Sequence, residues 1–426
     1  MQLIEQASKP LRGELIVPGD KSISHRAVIF ASIAEGTSRI RNLSGGEDNQ
    51  RTLAAFENLG VSAWHDDGSL CVEGKGWDGL RPPDRVIDCG NSGTTMRLLS
   101  GVLSGRPFAS VLDGDASLRR RPMRRVMDPL GQMGAEISSA SGDNLAPLRI
   151  RGGKLHGIDY QMPIASAQVK SAILLAGLQA SGVTVVTEPQ KSRDHTEIMA
   201  LRFGAKLNVA GLAVTVEGGR PLRGQNVVVP GDLSSAAFFL VAAAAIPGSD
   251  VLVRNVGCNS TRSGILELLE RMGAQVELLH GSDVNGESAA DLRVTGTRLR
   301  GIEIGADMVA RTIDEYPILF VAAALAEGAT TVSGAKELRY KESDRIAVMA
   351  AALRQLGVGV DEREDGLRIE GQIRLRGANV KTHGDHRVAM AMAVAGLCAD
   401  GGVEIDDDAC ASVSFPGFFE LLERIR

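Results

Sequence analysis

The tetrapeptide Val17-Pro18-Gly19-Asp20 returns as Val229-Pro230-Gly231-Asp232, 212 positions further along a chain of 426 residues. Both copies read as a strand running into a Pro-Gly turn, with an aspartate set to cap the helix that follows. A repeat spaced at half the chain length marks a duplication and restricts the fold to two lobes of similar plan. The lobes differ in charge. Lys21-Ser22-Ile23-Ser24-His25-Arg26 follows the first copy, Leu233-Ser234-Ser235-Ala236-Ala237 the second. Cations in one frame stand where apolar residues stand in the other, which suggests two lobes facing each other with unequal parts in one ligand site.

The expected division is residues 20–230 for the first lobe and 1–19 with 231–426 for the second, the chain crossing near 18–20 and 230–232. The strand Glu14 to Val17 precedes the first crossing and so falls to the second lobe. Within each lobe a shorter repeat recurs. An Ala-rich helix, apolar on nearly every side and closed by glycine, occurs six times: His25 to Glu35, Thr94 to Ser104, Gln168 to Ser181, Leu233 to Pro247, Asp314 to Glu327 and His386 to Asp400. A second, amphipathic helix ends in a hydrophobic-Gly-(Ala/Val) signature at Gly60, Gly134, Gly204, Gly273 and Gly357, with Phe418 to Ile425 as the sixth. Alternating stretches such as Val183-Thr184-Val185-Val186 read as strands. A helix apolar all round must be buried, so three of them per lobe, wrapped by sheets, predict an α/β fold with a helical interior. A solenoid is disfavoured, because a row of repeats needs no second Val-Pro-Gly-Asp crossing.

Composition narrows the function. Net charge is −5, which argues against a general nucleic-acid binder while leaving room for a local cationic cleft. No apolar run reaches membrane-spanning or signal-peptide length, so a cytoplasmic protein is expected. The five cysteines are scattered without metal-ligand spacing and read as reduced packing residues.

The polar residues collect where the apolar helices begin. Lys21, Ser22 and Arg26 open the first, Asn91, Ser92, Thr94 and Arg97 the second, Ser166, Gln168 and Lys170 the third, Asp314 and Glu315 the fifth, His386 and Arg387 the sixth. Helix N-termini offer unpaired N–H groups and partial positive charge, so such a ring is an anion site. Five arginines lie between Arg119 and Arg125, and the Arg121-Pro122 break favours a loop that turns Arg121 inward, Arg124 less so. Lys341 and Arg345 read as one turn apart on a helix start, either as solvated ion pairs or as part of the cationic set. Asp314 either caps its helix or serves as a base, and acid and base candidates beside cations suggest proton transfer on an anionic substrate.

These residues resemble the 5-enolpyruvylshikimate-3-phosphate synthase family over essentially the whole chain. The likeness is carried by Asp20-Lys21-Ser22-Ile23-Ser24-His25-Arg26, Gly90-Asn91-Ser92-Gly93-Thr94-Thr95-Met96-Arg97, Arg121-Pro122-Met123, Ser166-Ala167-Gln168, Arg339-Tyr340-Lys341-Glu342-Ser343-Asp344-Arg345 and Asp385-His386-Arg387. The resemblance implies two similar domains, each of three βαβαββ units with buried helices inside a sheet-clad layer, an inverse α/β barrel closing over its substrates. It implies enolpyruvyl transfer from phosphoenolpyruvate to the 5-hydroxyl of shikimate 3-phosphate by a monomer, without metal or organic cofactor and with no nucleic-acid or membrane partner. By the same motifs, Lys21, Ser22, Arg26, Ser166, Ala167, Gln168 and Arg193, with Asp314 and Lys341, would bind shikimate 3-phosphate. Lys21, Asn91, Gly93, Thr94, Arg97, Arg121, Gln168, Arg345, His386 and Arg387 would bind phosphoenolpyruvate. Asp314 would be the base, and Lys341, Glu342 and Lys21 would act in catalysis.

The chain departs from some members: Ala167 replaces a serine, Arg193 a tyrosine and Val413 a lysine, and the motifs around Asn91 and Arg193 look like the family's second class. The rivals are the related transferase acting on UDP-N-acetylglucosamine, which needs a loop cysteine that is absent from Asp113 to Met127, and a two-lobed anion-binding protein without catalysis.

Overall fold

The computed structural model describes residues 1–372 and 374–426. It divides into two compact units. One comprises Gly19–Val229 with Val284–Glu287 and is called the first lobe here; the other comprises Met1–Pro18, Pro230–Asp283 and Ser288–Arg426. Each has its own apolar core.

The helices of the first lobe are α1 (Lys21–Ile33), α2 (Glu47–Asn58), α3 (Gly93–Ser104), α4 (Arg124–Gln132), α5 (Ala167–Gly177) and α6 (His195–Arg202). Those of the second are α7 (Leu233–Ala245), α8 (Gly264–Arg271), α9 (Val309–Thr312), α10 (Tyr316–Ala324), α11 (Arg345–Gln355), α12 (His386–Gly396) and α13 (Phe418–Ile425). The Ala-rich helices α1, α3, α5, α7, α10 and α12 are buried along nearly their whole length, as all-round apolar sequence requires.

Each lobe surrounds its buried helices with three sheets. In the first lobe every sheet has one parallel pair followed by two antiparallel ones, as in the order 87–88, 109–113, 148–151, 136–139. That order is what a strand-helix-strand-helix-strand-strand unit produces. The strands alternate, with one face packed inward: Ala109–Asp113 buries Ser110 and Leu112. The unit starting each lobe takes its first strand from the far side of a Val-Pro-Gly-Asp motif. Arg12–Ile16, which precedes the first motif, pairs in parallel with Asp250–Gly257, and Asn226–Val228, which precedes the second, pairs in parallel with Glu35–Arg41. The strand before each motif and the helix after it therefore belong to different lobes.

The hydrophobic-Gly-(Ala/Val) signature is a helix stop. Gly60 has φ +88°, its N–H donates to the Glu57 carbonyl at 2.9 Å, and the Val61 N–H reaches the Phe56 carbonyl at 3.0 Å. This 5→2 and 6→1 pair ends the helix, with a buried residue after the glycine. The same two bonds follow α4, α6, α8 and α11. The glycines after the buried helices behave differently from expectation. Gly105 directly follows its helix, but Gly36 lies inside a strand and Gly182 just before one, both at positive φ. There the left-handed residue turns the chain into the strand, after the helix has already ended.

All five cysteines are free thiols. Burial pushes Cys398 up to about 12 and Cys258 to about 11, so both stay protonated and unreactive at neutral pH. Among the described residues no helix is long and apolar enough to cross a membrane.

Candidate active site

In the first lobe the N-terminal ends of α1, α3 and α5 carry the motif residues, and each helix is started by a side chain that accepts a backbone N–H. Asp20 accepts from Ile23 at 2.8 Å, Ser92 from Thr95 at 3.1 Å and Ser166 from Val169 at 3.4 Å.

Two clusters form. Around α3, Arg97 Nη1 donates to Gln168 Oε1 at 2.5 Å, and Gln168 Nε2 donates to Thr94 Oγ1 at 2.8 Å. Arg121 is buried, and its Nη2 donates to Asn91 Oδ1 at 2.6 Å. A Cβ on Gly93 would stand 2.9 Å from Arg97 Nη1 and 3.2 Å from Arg121 Nη1, so a side chain there would push one or both guanidinium tips aside. The second cluster joins α1 to α6. Arg193 Nη1 donates to Ser22 Oγ at 3.4 Å, and Arg26 donates to the Ser22 carbonyl, Ser171 and Thr196. Ala167 opens α5 between them. Lys21 starts α1 with its ammonium 3.0 Å from Asp48, a partner that the sequence reading did not include.

In the second lobe the candidates gather on Asp314. Its Oδ1 lies 3.4 Å from Lys341 Nζ and 3.9 Å from Arg345 Nη1, its Oδ2 4.0 Å from Arg387 Nη2, and its carbonyl accepts from Arg387 Nη1 at 3.0 Å. Arg345 is 1 % exposed and is held by Asp385 Oδ2 at 2.9 Å and Glu342 Oε2 at 2.6 Å. Burial works against its charge, but these carboxylates outweigh burial and raise its pKa, so it is permanently cationic. Asp385 is correspondingly held below the usual carboxylate range, burial being overcome by Arg345, and its Oδ1 also accepts the Arg387 N–H at 3.0 Å as the cap of α12. His386, next along, is buried.

Several expectations need correction. Asp314 does not cap the fifth buried helix; it lies between α9 and α10, where Glu315 precedes the helix and Pro317, lacking an N–H, reduces the need for a capping side chain. Glu315 instead accepts from Ser234 and lies 3.9 Å from the buried Arg262. Lys341 is not on a helix with Arg345, because Asp344 accepts the Ala347 N–H at 3.0 Å and so starts α11 only at Arg345. Lys170 adds no cation to the ring at the helix ends: it is buried between Glu188 at 2.7 Å and Glu197 at 2.6 Å. Arg124 is exposed and paired with Asp128, and Val413 ends a short 3-10 helix without offering a charge.

Sequence reasoning also missed the hydroxyls that tie the helix ends together. His25 Nδ1 lies 2.7 Å from Thr52 Oγ1, Thr52 2.7 Å from Thr95 Oγ1, and Thr95 donates to Ser92 Oγ at 2.8 Å. This chain links α1 through α2 to the cap of α3. Its only sequence signal was small polar residues recurring inside helices otherwise apolar.

The family model for EPSP synthase (3-phosphoshikimate 1-carboxyvinyltransferase) matches residues 5–422. The chain is 54 % identical to the 3-phosphoshikimate 1-carboxyvinyltransferase of Geobacter sulfurreducens over 426 residues, covering 100 % of this chain and 99 % of that one. It is 57 % identical to the enzyme of that name from Halorhodospira halophila, covering 97 % and 94 %. The solved EPSP synthase of Acinetobacter baumannii superposes with a TM-score of 0.88 at 46 % identity, covering 99 % of this chain and 97 % of that one. An enolpyruvyl transferase of Streptomyces tendae shares the fold, with a TM-score of 0.79 at 19 % identity and coverage of 99 % and 96 %. With a family model spanning nearly every residue and relatives above half identity end to end, the chain belongs to the EPSP synthase family, and its lobes have that family's inverse α/β barrel fold.

Proposed function

We propose that this protein transfers the enolpyruvyl group of phosphoenolpyruvate to the 5-hydroxyl of shikimate 3-phosphate and releases phosphate, which makes it a 3-phosphoshikimate 1-carboxyvinyltransferase. The observation that carries this reading is Asp314, a half-buried carboxylate met by Lys341, Arg345 and Arg387. A carboxylate set among three cations suits a base acting on an anionic substrate, and a protein that merely captured anions would gain nothing from it.

In the first step Asp314 takes the proton of the 5-hydroxyl while its oxygen bonds to the vinyl carbon of phosphoenolpyruvate. A proton is added to the methylene, with Lys341 and Glu342 as its carriers. In the second step that methyl group loses a proton and the bond to phosphate breaks, which restores the double bond. Positive charge at the vinyl carbon is stabilised by the nearby carboxylates. Each substrate phosphate carries roughly −1.5 to −2 charge, so many fixed cations are needed. Lys21, Ser22, Arg26, Ser166, Ala167, Gln168 and Arg193 are assigned to shikimate 3-phosphate. Asn91, Gly93, Thr94, Arg97, Arg121, Arg345, His386 and Arg387 are assigned to phosphoenolpyruvate, with Lys21 and Gln168 shared. The protein acts as a cytoplasmic monomer without a metal or organic cofactor.

Phosphate release from phosphoenolpyruvate, measured with and without shikimate 3-phosphate, tests the proposal: release is expected only with both. Release with UDP-N-acetylglucosamine in its place, or binding of both substrates without turnover, overturns it.

A further inference from the structure

Arg26 is 3 % exposed, and the groups that accept its N–H bonds are all uncharged. Nε donates to Thr196 Oγ1 at 2.6 Å, Nη2 to Ser171 Oγ at 2.8 Å and Nη1 to the Ser22 carbonyl at 2.9 Å. A guanidinium has five N–H donors, two on each terminal nitrogen. Among the described residues one donor on each terminal nitrogen is therefore left over. Burial lowers the pKa of Arg26 to about 10, against an opposite pull from Glu197, so the group remains charged at neutral pH.

The two hydroxyls are held in turn. Ser171 Oγ lies 2.6 Å from the Ala167 carbonyl and 2.6 Å from Thr196 Oγ1. Each hydroxyl has one proton, and only one assignment serves every contact. Ser171 donates to Ala167, Thr196 donates to Ser171, and both oxygens accept from Arg26. One residue along each helix, Lys170 on α5 pairs with Glu197 on α6 at 2.6 Å, and Lys170 is 1 % exposed. The adjacent pairs Lys170–Glu197 and Ser171–Thr196 fix the register between α5 and α6, and so the place of both hydroxyls.

We propose that Thr196 and Ser171 are positioning residues for shikimate 3-phosphate, holding Arg26 by neutral oxygens so that its location is fixed while its charge stays available to that anionic substrate. The inference rests on the assignment of Arg26 to that substrate. A carboxylate at either position would fix the side chain equally well but would neutralise it. The hydroxyls separate placement from charge.

Steady-state kinetics of Thr196→Val provide the test, since the substitution keeps the side chain's shape and leaves a buried Nε–H without its acceptor. The KM for shikimate 3-phosphate should rise about tenfold, with smaller changes in kcat and in the KM for phosphoenolpyruvate, and Thr196→Ser should restore it. Ser171→Ala should move the same constant in the same direction, and serves if the valine variant does not fold. A melting temperature that falls with an unchanged KM would make the contact merely structural and overturn the proposal. Arg26→Lys separates the two layers of the argument. If it raises this KM while Thr196→Val and Ser171→Ala leave it within twofold, the positioning role fails. If it leaves the KM within twofold itself, the assignment of Arg26 fails, and the proposal with it.

Discussion

Arg26 in the first lobe and Arg345 in the second are both buried arginines near the start of a helix, yet they are held in opposite ways. Arg26 meets two hydroxyls and a carbonyl; Arg345 meets Asp385 and Glu342, with Asp314 at 3.9 Å. A guanidinium bound by neutral groups keeps its unit charge for a ligand. One bound by carboxylates instead organises them, holding Glu342 at 2.6 Å and Asp385 at 2.9 Å in place. The duplicated frame thus gives a similar buried cation two settings, neutral acceptors in one lobe and carboxylates in the other, which fits the proposed division into anion binding and proton transfer.

The sharpest test of this contrast removes the carboxylate on which the second lobe converges. Asp314→Ala should lower kcat by about 10²- to 10⁴-fold, the usual contribution of a general base, while substrate binding measured by calorimetry and the fold are largely kept. Unchanged turnover would remove Asp314 as the base. Next in size is a paired comparison of stability. Arg345→Met leaves Asp385 buried and unpaired and should cost about 3–5 kcal/mol in denaturant unfolding. Arg26→Met strips only neutral acceptors and should cost no more than about 2 kcal/mol, while weakening shikimate 3-phosphate binding severely. Equal costs would erase the distinction.

The smallest effect concerns acid. Burial, with Lys21 and Arg26 nearby, pulls the pKa of His25 well below 6.5, so on acidification the unfolded chain takes up a proton there that the folded lobe refuses. First-lobe stability should fall as the pH drops below about 6.5, by up to about 1.4 kcal/mol per unit, and His25→Asn should flatten that slope. Asp385 acts in the same direction at lower pH: its pKa is lowered from 3.8, so its contribution is complete above that value and is lost only as the pH falls further. Hydrogen exchange at pH 7, 6 and 5, corrected for intrinsic rates, should show the first lobe loosening before the second; loosening of both together would contradict the assignment.

Much of this was legible in the sequence because the signals are local. All-round apolar helices, Leu59-Gly60-Val61 and its counterparts, and the capping residues Asp20, Ser92 and Ser166 act on neighbours within a few positions. What was not legible depends on partners far apart in the chain. Thr196 is 170 residues from Arg26 and Asp385 is 40 from Arg345, and no periodicity announces either contact. Lys170 was misread for the same reason: at a helix start beside Gln168 it looks like another cation of the ring, and only the return of the chain through Glu188 and Glu197 shows that its charge is already matched. Asp314 misled through proline chemistry, since a helix opening with Tyr316-Pro317 has less need of the cap that an aspartate usually supplies.

Gly101 on α3 sits against the backbone of Ala172 on α5, where a Cβ would come within 2.2 Å of the Ala172 carbonyl oxygen. Arg97 and Gln168 lie one helical turn earlier on the same two helices, joined at 2.5 Å. A single absent carbon atom thus sets the spacing between these helices, and through it the reach of a guanidinium four residues away. Substituting even a methyl group at this position would wedge the helices apart and shift the Arg97–Gln168 contact, proposed to meet phosphoenolpyruvate, without touching either residue. Position 101 is therefore a place where recognition can be altered from inside the core.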